Sequence, residues 1–268
     1  MARPTRAVRW AALWMGVTAA VWLVVGLLLA VRWGSIERPS VSSRTLFPNG
    51  VMRIGIDASF PPFAVATGDD LYGLDVDLGK AIGLRLQIPT QFVNMGYDGL
   101  YDSLLSEQVD VLISALPIDY SRSRDFRFTL PYFNAGLVLI RDADQPIEGM
   151  EDLGGRSVSF EFGSDGDLVA RAWLRRIRAF ETRPYETPDY ALDAVRLGIS
   201  DAALVDAVSG RLYLRAHREW DARYSSVNDV LYGVAVRADD RELWRAVNGI
   251  IRTMLEDGSL ESIIARWF

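Results

Sequence analysis

Cysteine is absent from all 268 residues. Its absence excludes disulfides, thiolate metal sites, a cysteine nucleophile and a lipid-modified cysteine near the N-terminus. Histidine is nearly absent as well. His217 stands alone, in the polar run Arg215, Arg218, Glu219, and reads as a solvated helix-end residue. A histidine-rich metal site or a Ser–His hydrolase is therefore disfavoured, and no cofactor is implied. An excess of basic charge is also missing: the net charge is −6, which leaves no electrostatic footprint for nucleic acid. What is present suits a folded chain with one or two cores, since 50% of residues are hydrophobic and 24% charged.

The N-terminus is a separate object. No charge interrupts the run from Trp10 to Val31, which is long enough to cross a bilayer as a helix. Arg3, Arg6 and Arg9 precede it, Arg32 follows, and Trp10 and Trp33 sit where interfacial aromatics belong. A cleaved signal peptide is the alternative, but Ala30-Val31-Arg32-Trp33 offers no good small-x-small site. The favoured reading is an uncleaved transmembrane anchor over residues 1–33, with the leading arginines in the cytoplasm and everything after Arg32 outside. Residues 34–50, rich in serine and proline, read as a tether.

Beyond Val51, short apolar strands alternate with amphipathic helices. Val51–Asp57, Thr90–Met95 and Val109–Ser114 read as strands; Asp77–Leu86 and Asp98–Ser106 read as helices. This β-α-β-α-β order predicts a parallel sheet covered on both faces, with ligands at the carboxyl ends of its strands. The pattern then recurs. Asp98 opens a helix and Asp110 begins Asp-Val-Leu-Ile-Ser twelve residues later; Asp189 opens a helix and Asp201 begins Asp-Ala-Ala-Leu-Val at the same interval. Ile54-Gly-Ile-Asp57 is echoed by Val158-Ser-Phe-Glu161. Together these echoes suggest two lobes of like architecture around a shared site. A strand over Leu231–Arg237 and helices over Asp240–Glu256 and Ser259–Trp267, divided at Asp257-Gly258, close the chain.

Asp57-Ala-Ser-Phe60-Pro61-Pro62-Phe63 follows a strand directly. The two prolines stiffen that loop and hold Phe60 at a strand end, as a ligand wall or as a core aromatic. This stretch, with those after it, resembles the family-3 bacterial solute-binding proteins, the polar amino-acid receptors of ABC importers. Gly73-Leu-Asp-Val-Asp77-Leu-Gly-Lys-Ala-Ile82 is similar to the family's G-F-D-V-D-L-A-K-A-I. Tyr97-Asp-Gly-Leu100 is similar to its F-D-G-L, and Asp110-Val-Leu-Ile-Ser114-Ala115 to its D-V-I-I-S-G. Arg122 falls at the arginine of T-I-T-x-x-R, and Pro131-Tyr132 matches the P-Y that follows. Tyr232-Gly-Val-Ala-Val-Arg237 and the closing Asp257-Gly-Ser-Leu…Arg266-Trp267-Phe268 match its C-terminal pattern.

The resemblance implies a two-lobed periplasmic-binding-protein-like (type II) α/β fold, with residues 51–140 plus 232–268 in lobe 1 and 143–228 in lobe 2. It also implies hinge closure on a small ligand and an ABC transporter permease as partner. Arg122 then grips an α-carboxylate, for which its forked guanidinium is suited; a surface arginine beside Asp119 or Asp125 is the competing reading. Asp206 receives an α-ammonium and can also cap a helix. Asp57, Phe60, Tyr97, Ser114 and Ala115 fall at pocket positions of the first lobe, and Glu161, Ser164 and Asp165 at the loop of the second. Two departures stand out. Pro117 replaces a threonine, and Asp165 stands where many relatives have a hydroxyl that helps to bind the carboxylate. If Asp57, Glu161, Asp165 and Asp206 all face the cleft, a cationic ligand would balance them; equally, Glu161 or Asp165 can turn away and cap the helix near Gly166. A periplasmic dehydratase on the same fold and the ligand-sensing subunit of a signalling complex are the alternatives. A lytic transglycosylase would need a catalytic domain after Phe268.

Overall fold

The computed structural model describes residues 46–268 apart from residue 69. The expected anchor, and the tether up to residue 45, lie outside the described residues. Phe47, read as tether, is buried in a core. Among the described residues no helix is long and apolar enough to cross a membrane.

The chain opens with β1 (Met52–Ile56), the small sheet β2 (Ser59–Phe60), β3 (Ala64–Thr67) and β4 (Asp70–Tyr72), then α1 (Leu74–Leu86) and β5 (Thr90–Asn94). A 3-10 turn at Tyr97–Gly99 leads into α2 (Leu100–Leu105), followed by β6 (Val111–Leu112), a second turn at Tyr120–Arg122 and β7 (Phe126–Phe128). Next come β8 (Phe133–Asn134), β9 (Leu137–Asp142), β10 (Ser157–Glu161) and α3 (Asp165–Trp173). They are followed by β11 (Glu181–Tyr185), α4 (Pro188–Arg196), β12 (Ala202–Asp206), α5 (Ala207–Ala216) and β13 (Ala222–Ser226). The chain returns through β14 (Leu231–Tyr232) and β15 (Ala235–Arg237) to α6 (Arg241–Glu256) and α7 (Ser259–Trp267).

Two five-stranded sheets result, ordered β5-β1-β6-β15-β7 and β11-β10-β12-β9-β13. Each is mixed: the strands expected to be parallel are so, and the sheet is extended by strands outside the β-α-β-α-β segment. Three strands of each are parallel, and the last two are joined antiparallel. The antiparallel members are the strands that enter a lobe from the crossovers (β9 and β15) and their edge neighbours (β13 and β7), to which the β-α-β rhythm does not apply. Each sheet is covered on both faces. In the first, Ile54, Leu78, Ile82, Val247 and Ile251 pack on one side, and Leu100, Leu104, Leu112 and Phe126 on the other. In the second the pairing faces are Leu139, Phe160 and Leu204 against Ile140, Leu192 and Val205.

Helix α1 begins three residues before the expected Asp77. Gly73 stands before it at φ 137°, where a Cβ would lie 2.1 Å from the Phe63 carbonyl oxygen, so the chain can turn there only as glycine. The turn drives Leu74, Asp75 and Val76 wholly inside. The strand expected over Leu231–Arg237 is split at Gly233 into β14, which joins the crossover, and β15, which joins the first sheet.

The repeat seen in sequence has a physical basis. The Arg53 amide donates to Asp110 (2.8 Å), and the Ser157 amide donates to Asp201 (2.7 Å). In both lobes an aspartate at the start of the third strand ties down the start of the first. The strand ends carrying Asp57 and Glu161 are thereby placed alike. Asp110 also holds the Arg53 guanidinium, with Nη2 2.6 Å from one oxygen. Asp110→Ala leaves the Arg53 amide without its acceptor and the part-buried guanidinium with only the Glu107 carbonyl, and should lower unfolding free energy by about 2 kcal/mol in urea melts; an unchanged midpoint would contradict this role.

Candidate ligand cleft

A cavity of about 220 Å³ opens at the carboxyl ends of β10 and β12. Glu161, Ser164, Asp165 and Asp206 line it from the second lobe, and Ala135, Asn228 and Val230 from the crossovers. No lysine, arginine or histidine is among its lining residues.

Each wall has a local cause. Glu161 is the last residue of β10 and Asp206 the last of β12. Ser164 caps α3: its hydroxyl accepts from the Asp167 amide (3.3 Å) and donates to the Glu161 carbonyl (2.7 Å). Its side chain is thus committed to the helix start. The carboxylate that accepts from the Gly163 amide (3.1 Å) is Asp167, itself paired with Arg171. Glu161 and Asp165 therefore do not cap α3, which removes the alternative in which either turns away for that purpose. Asp206 caps α5, accepting from the Ser209 amide at 2.9 Å through one oxygen.

The first-lobe residues are brought to the ends of β1 and β6. The Asp57 amide donates to the Ser114 hydroxyl (2.9 Å), while one Asp57 oxygen accepts from the Ser59 amide (3.0 Å) and hydroxyl (2.7 Å). Phe60 is 46% exposed and stacks on the buried Phe63 with ring centres 5.4 Å apart. It is a supported aromatic that still faces outward, rather than a core residue. Tyr97 is also about half exposed. Pro117 lies in a bridge to Tyr232. The Ala115 amide is already used: it donates to Asp75 (2.7 Å) and to the Tyr132 hydroxyl (3.1 Å). That amide is therefore spent within the protein, because a buried carboxylate lies behind it.

Arg122 lies over the Tyr101 ring, 4.3 Å from its centre, and 3.2 Å from Asp119. Asp119 is held below the usual carboxylate range first by the Ser121 hydroxyl and amide, and only lastly by Arg122. The Ser121 bonds, rather than the arginine, are the larger influence. Tyr232 connects the two sides: burial, followed by the charges of Asp206 and Asp75 and by Tyr97, pushes its phenol up to about 12. Asp206 from the second lobe and Tyr97 from the first thus act on one ring.

Sequence reasoning missed the crossover wall. Asn134 accepts from the Gly136 (3.0 Å) and Val230 (3.1 Å) amides and donates to Asp229 (2.7 Å), while Asn228 accepts from the Leu137 amide (2.7 Å). A Cβ on Gly136 would lie 2.2 Å from the Asn228 carbonyl oxygen, so the crossovers approach backbone to backbone. Asn134, Gly136 and Asn228 beside apolar runs were the available signal.

The chain is similar to known binding proteins in sequence and in fold. The L-cystine-binding protein TcyJ of Escherichia coli (strain K12) is 27% identical over 225 residues, covering 82% of this chain and 83% of that one. The lysine/arginine/ornithine-binding periplasmic protein of the same strain is 30% identical over 240 residues, covering 85% and 91%. The fold is that of the L-cystine solute receptor of Neisseria gonorrhoeae in its unliganded open conformation, with a TM-score of 0.72 at 20% identity over 85% of this chain and 97% of that one. The model of the bacterial extracellular solute-binding proteins, family 3, matches residues 52–268, and the chain belongs to that family.

Proposed function

We propose that the chain captures a small amino acid carrying an extra positive group and delivers it to an ABC importer from the outer side of the membrane, to which residues 10–31 attach it. The cavity wall supports this most directly, since three carboxylates line it with no cationic residue among them. Acids drawn together and shielded from water repel one another unless a positive group balances them. Relatives whose names record lysine, arginine and ornithine as ligands favour the same chemistry.

In this reading Arg122 leaves Asp119 on closure and takes the α-carboxylate through two parallel bonds. The free oxygen of Asp206 receives the α-ammonium. Phe60 and Tyr97 flank the aliphatic stem, and Asp57, Glu161 and Asp165 surround the distal cation. Ser114 sets Asp57, Ser164 sets the loop carrying Glu161 and Asp165, and Ala115 and Pro117 shape the floor. The crossovers at Asn134–Leu137 and Asn228–Tyr232 are the hinge.

Thermal unfolding with saturating arginine, lysine, glutamate or glutamine tests the reading. Arginine or lysine at about 100 times its Kd should raise the melting temperature by about 5–10 °C. Stabilisation by glutamate alone would overturn the charge argument. The chain is read as a binder: prephenate and arogenate should be recovered unchanged after incubation with it, and their conversion would replace this reading with a dehydratase.

A further inference from the structure

Behind the cleft lies an acid that ligand capture does not touch. Asp75, the second residue of α1, has no exposed surface. One of its oxygens accepts from the Tyr132 hydroxyl (2.8 Å) and the other from the Ala115 amide (2.7 Å). Tyr132 is buried too, and its oxygen also accepts from the Ala115 amide (3.1 Å). Ala115 has φ 46°, a left-handed conformation that costs a non-glycine residue and persists where surrounding bonds enforce it. Its neighbour Ser114 carries the hydroxyl that fixes the Asp57 amide. An unbroken path of bonds therefore runs from Asp75 through Ala115 and Ser114 to the cleft.

The ionisable groups acting on Asp75 are phenols. Tyr132 bonds it directly, and the Asp75 charge is felt at Tyr232. None of the ion pairs among the described residues involves it. Burial is the largest influence, opposed by the Tyr132 and Ala115 bonds, and places the acid at about 7. The ionised carboxylate is the form matched to two donors. A proton on it weakens the bond from the Ala115 amide and competes with the Tyr132 hydrogen.

We propose that Asp75 is a positioning residue for the cleft: through the Ala115 amide and Tyr132 it sets the backbone at the end of β6, and its protonation loosens that backbone and weakens capture. The effect on capture rests on the amino-acid-binding reading above; the coupling of Asp75 to Ala115 does not. Because the folded-state acid is raised above its ordinary value, the stability it confers is full at low pH and is lost as pH rises through about 7. Capture should move the opposite way, which a purely structural role would not produce.

The test uses the full chain. The Ala115 amide resonance should titrate with a midpoint near 7; Asp75→Asn should abolish that step, and Tyr132→Phe should raise its midpoint by removing a donor to the ionised form. L-Arginine affinity, measured by calorimetry from pH 8 to pH 6, should fall about tenfold in the native protein and stay flat in Asp75→Asn. A His217→Gln variant should keep the native profile. An Ala115 resonance that does not move, or an equal pH slope in Asp75→Asn, overturns the proposal. A native protein that binds neither arginine nor lysine defeats the amino-acid reading and the capture claim with it, while the Ala115 titration still decides the coupling.

Discussion

Asp206→Asn should weaken L-arginine binding about a hundredfold while leaving the melting temperature within about 2 °C of the native value. The two effects separate because the aspartate has two functions on two oxygens. One oxygen accepts the Ser209 amide and caps α5, and asparagine is as good a cap as aspartate. The charge lost in the substitution is the one read as receiving the ligand ammonium. Removing one member of a desolvated charge pair costs far more than losing a bond to water, since the other member is left unpaired. Asp206→Ala should show the same loss of affinity and, in addition, a stability loss of about 1 kcal/mol from the missing cap. If Asp206→Asn binds arginine like the native protein, the carboxylate is a helix cap and nothing more.

Arg122→Ala should likewise reduce arginine affinity about a hundredfold, again with the melting temperature nearly unchanged. Two readings of this residue compete, and the structure shows why the comparison is clean. Arg122 and Asp119 are both about half exposed, and exposed ion pairs contribute little to stability. Asp119 also retains the Ser121 amide (2.9 Å) and hydroxyl (2.6 Å) after the arginine is gone. The residual contact with the Tyr101 ring is a modest one. A surface arginine would therefore be silent in both measurements, whereas a carboxylate clamp is silent in stability alone. Arg122→Lys should fall between, about tenfold weaker than native, since an ammonium cannot make the parallel pair of bonds that a guanidinium makes.

Much of this fold can be read from the chain because the lobes obey local rules. The alternation of apolar strands and amphipathic helices fixes the three parallel strands of each sheet. The paired Asp110 and Asp201 mark the same joint twice, each bonding the start of its neighbouring first strand. The final helix runs over Ser259–Trp267, with its apolar stripe at helical spacing. What the chain conceals is set by long-range contact. The early start of α1 depends on a turn that only the Phe63 backbone makes necessary. The antiparallel strands depend on which lobe the crossovers enter.

The candidate site divides in the same way. Glu161, Asp165 and Asp206 reach one cavity because Glu161 and Asp206 end their strands and Asp165 opens the helix after β10, positions that periodicity locates. Ala115 could not be judged so, since the partners of its amide lie 40 and 17 residues away. Asp75 is the plainest case. It looks like an ordinary acid in the first turn of a helix, and only the packing of Tyr132 and Ala115 around it shows that water is excluded.

The most direct test of the central claim, that Arg122 and Asp206 hold the α-carboxylate and the α-ammonium of one small molecule, is a crystal structure of the chain grown with L-arginine. The account predicts closed lobes, the ligand carboxylate on the Arg122 guanidinium, its α-ammonium on the free oxygen of Asp206, and its guanidinium among Asp57, Glu161 and Asp165. A bound arginine that leaves Arg122 on Asp119 and contacts Asp206 nowhere would contradict it.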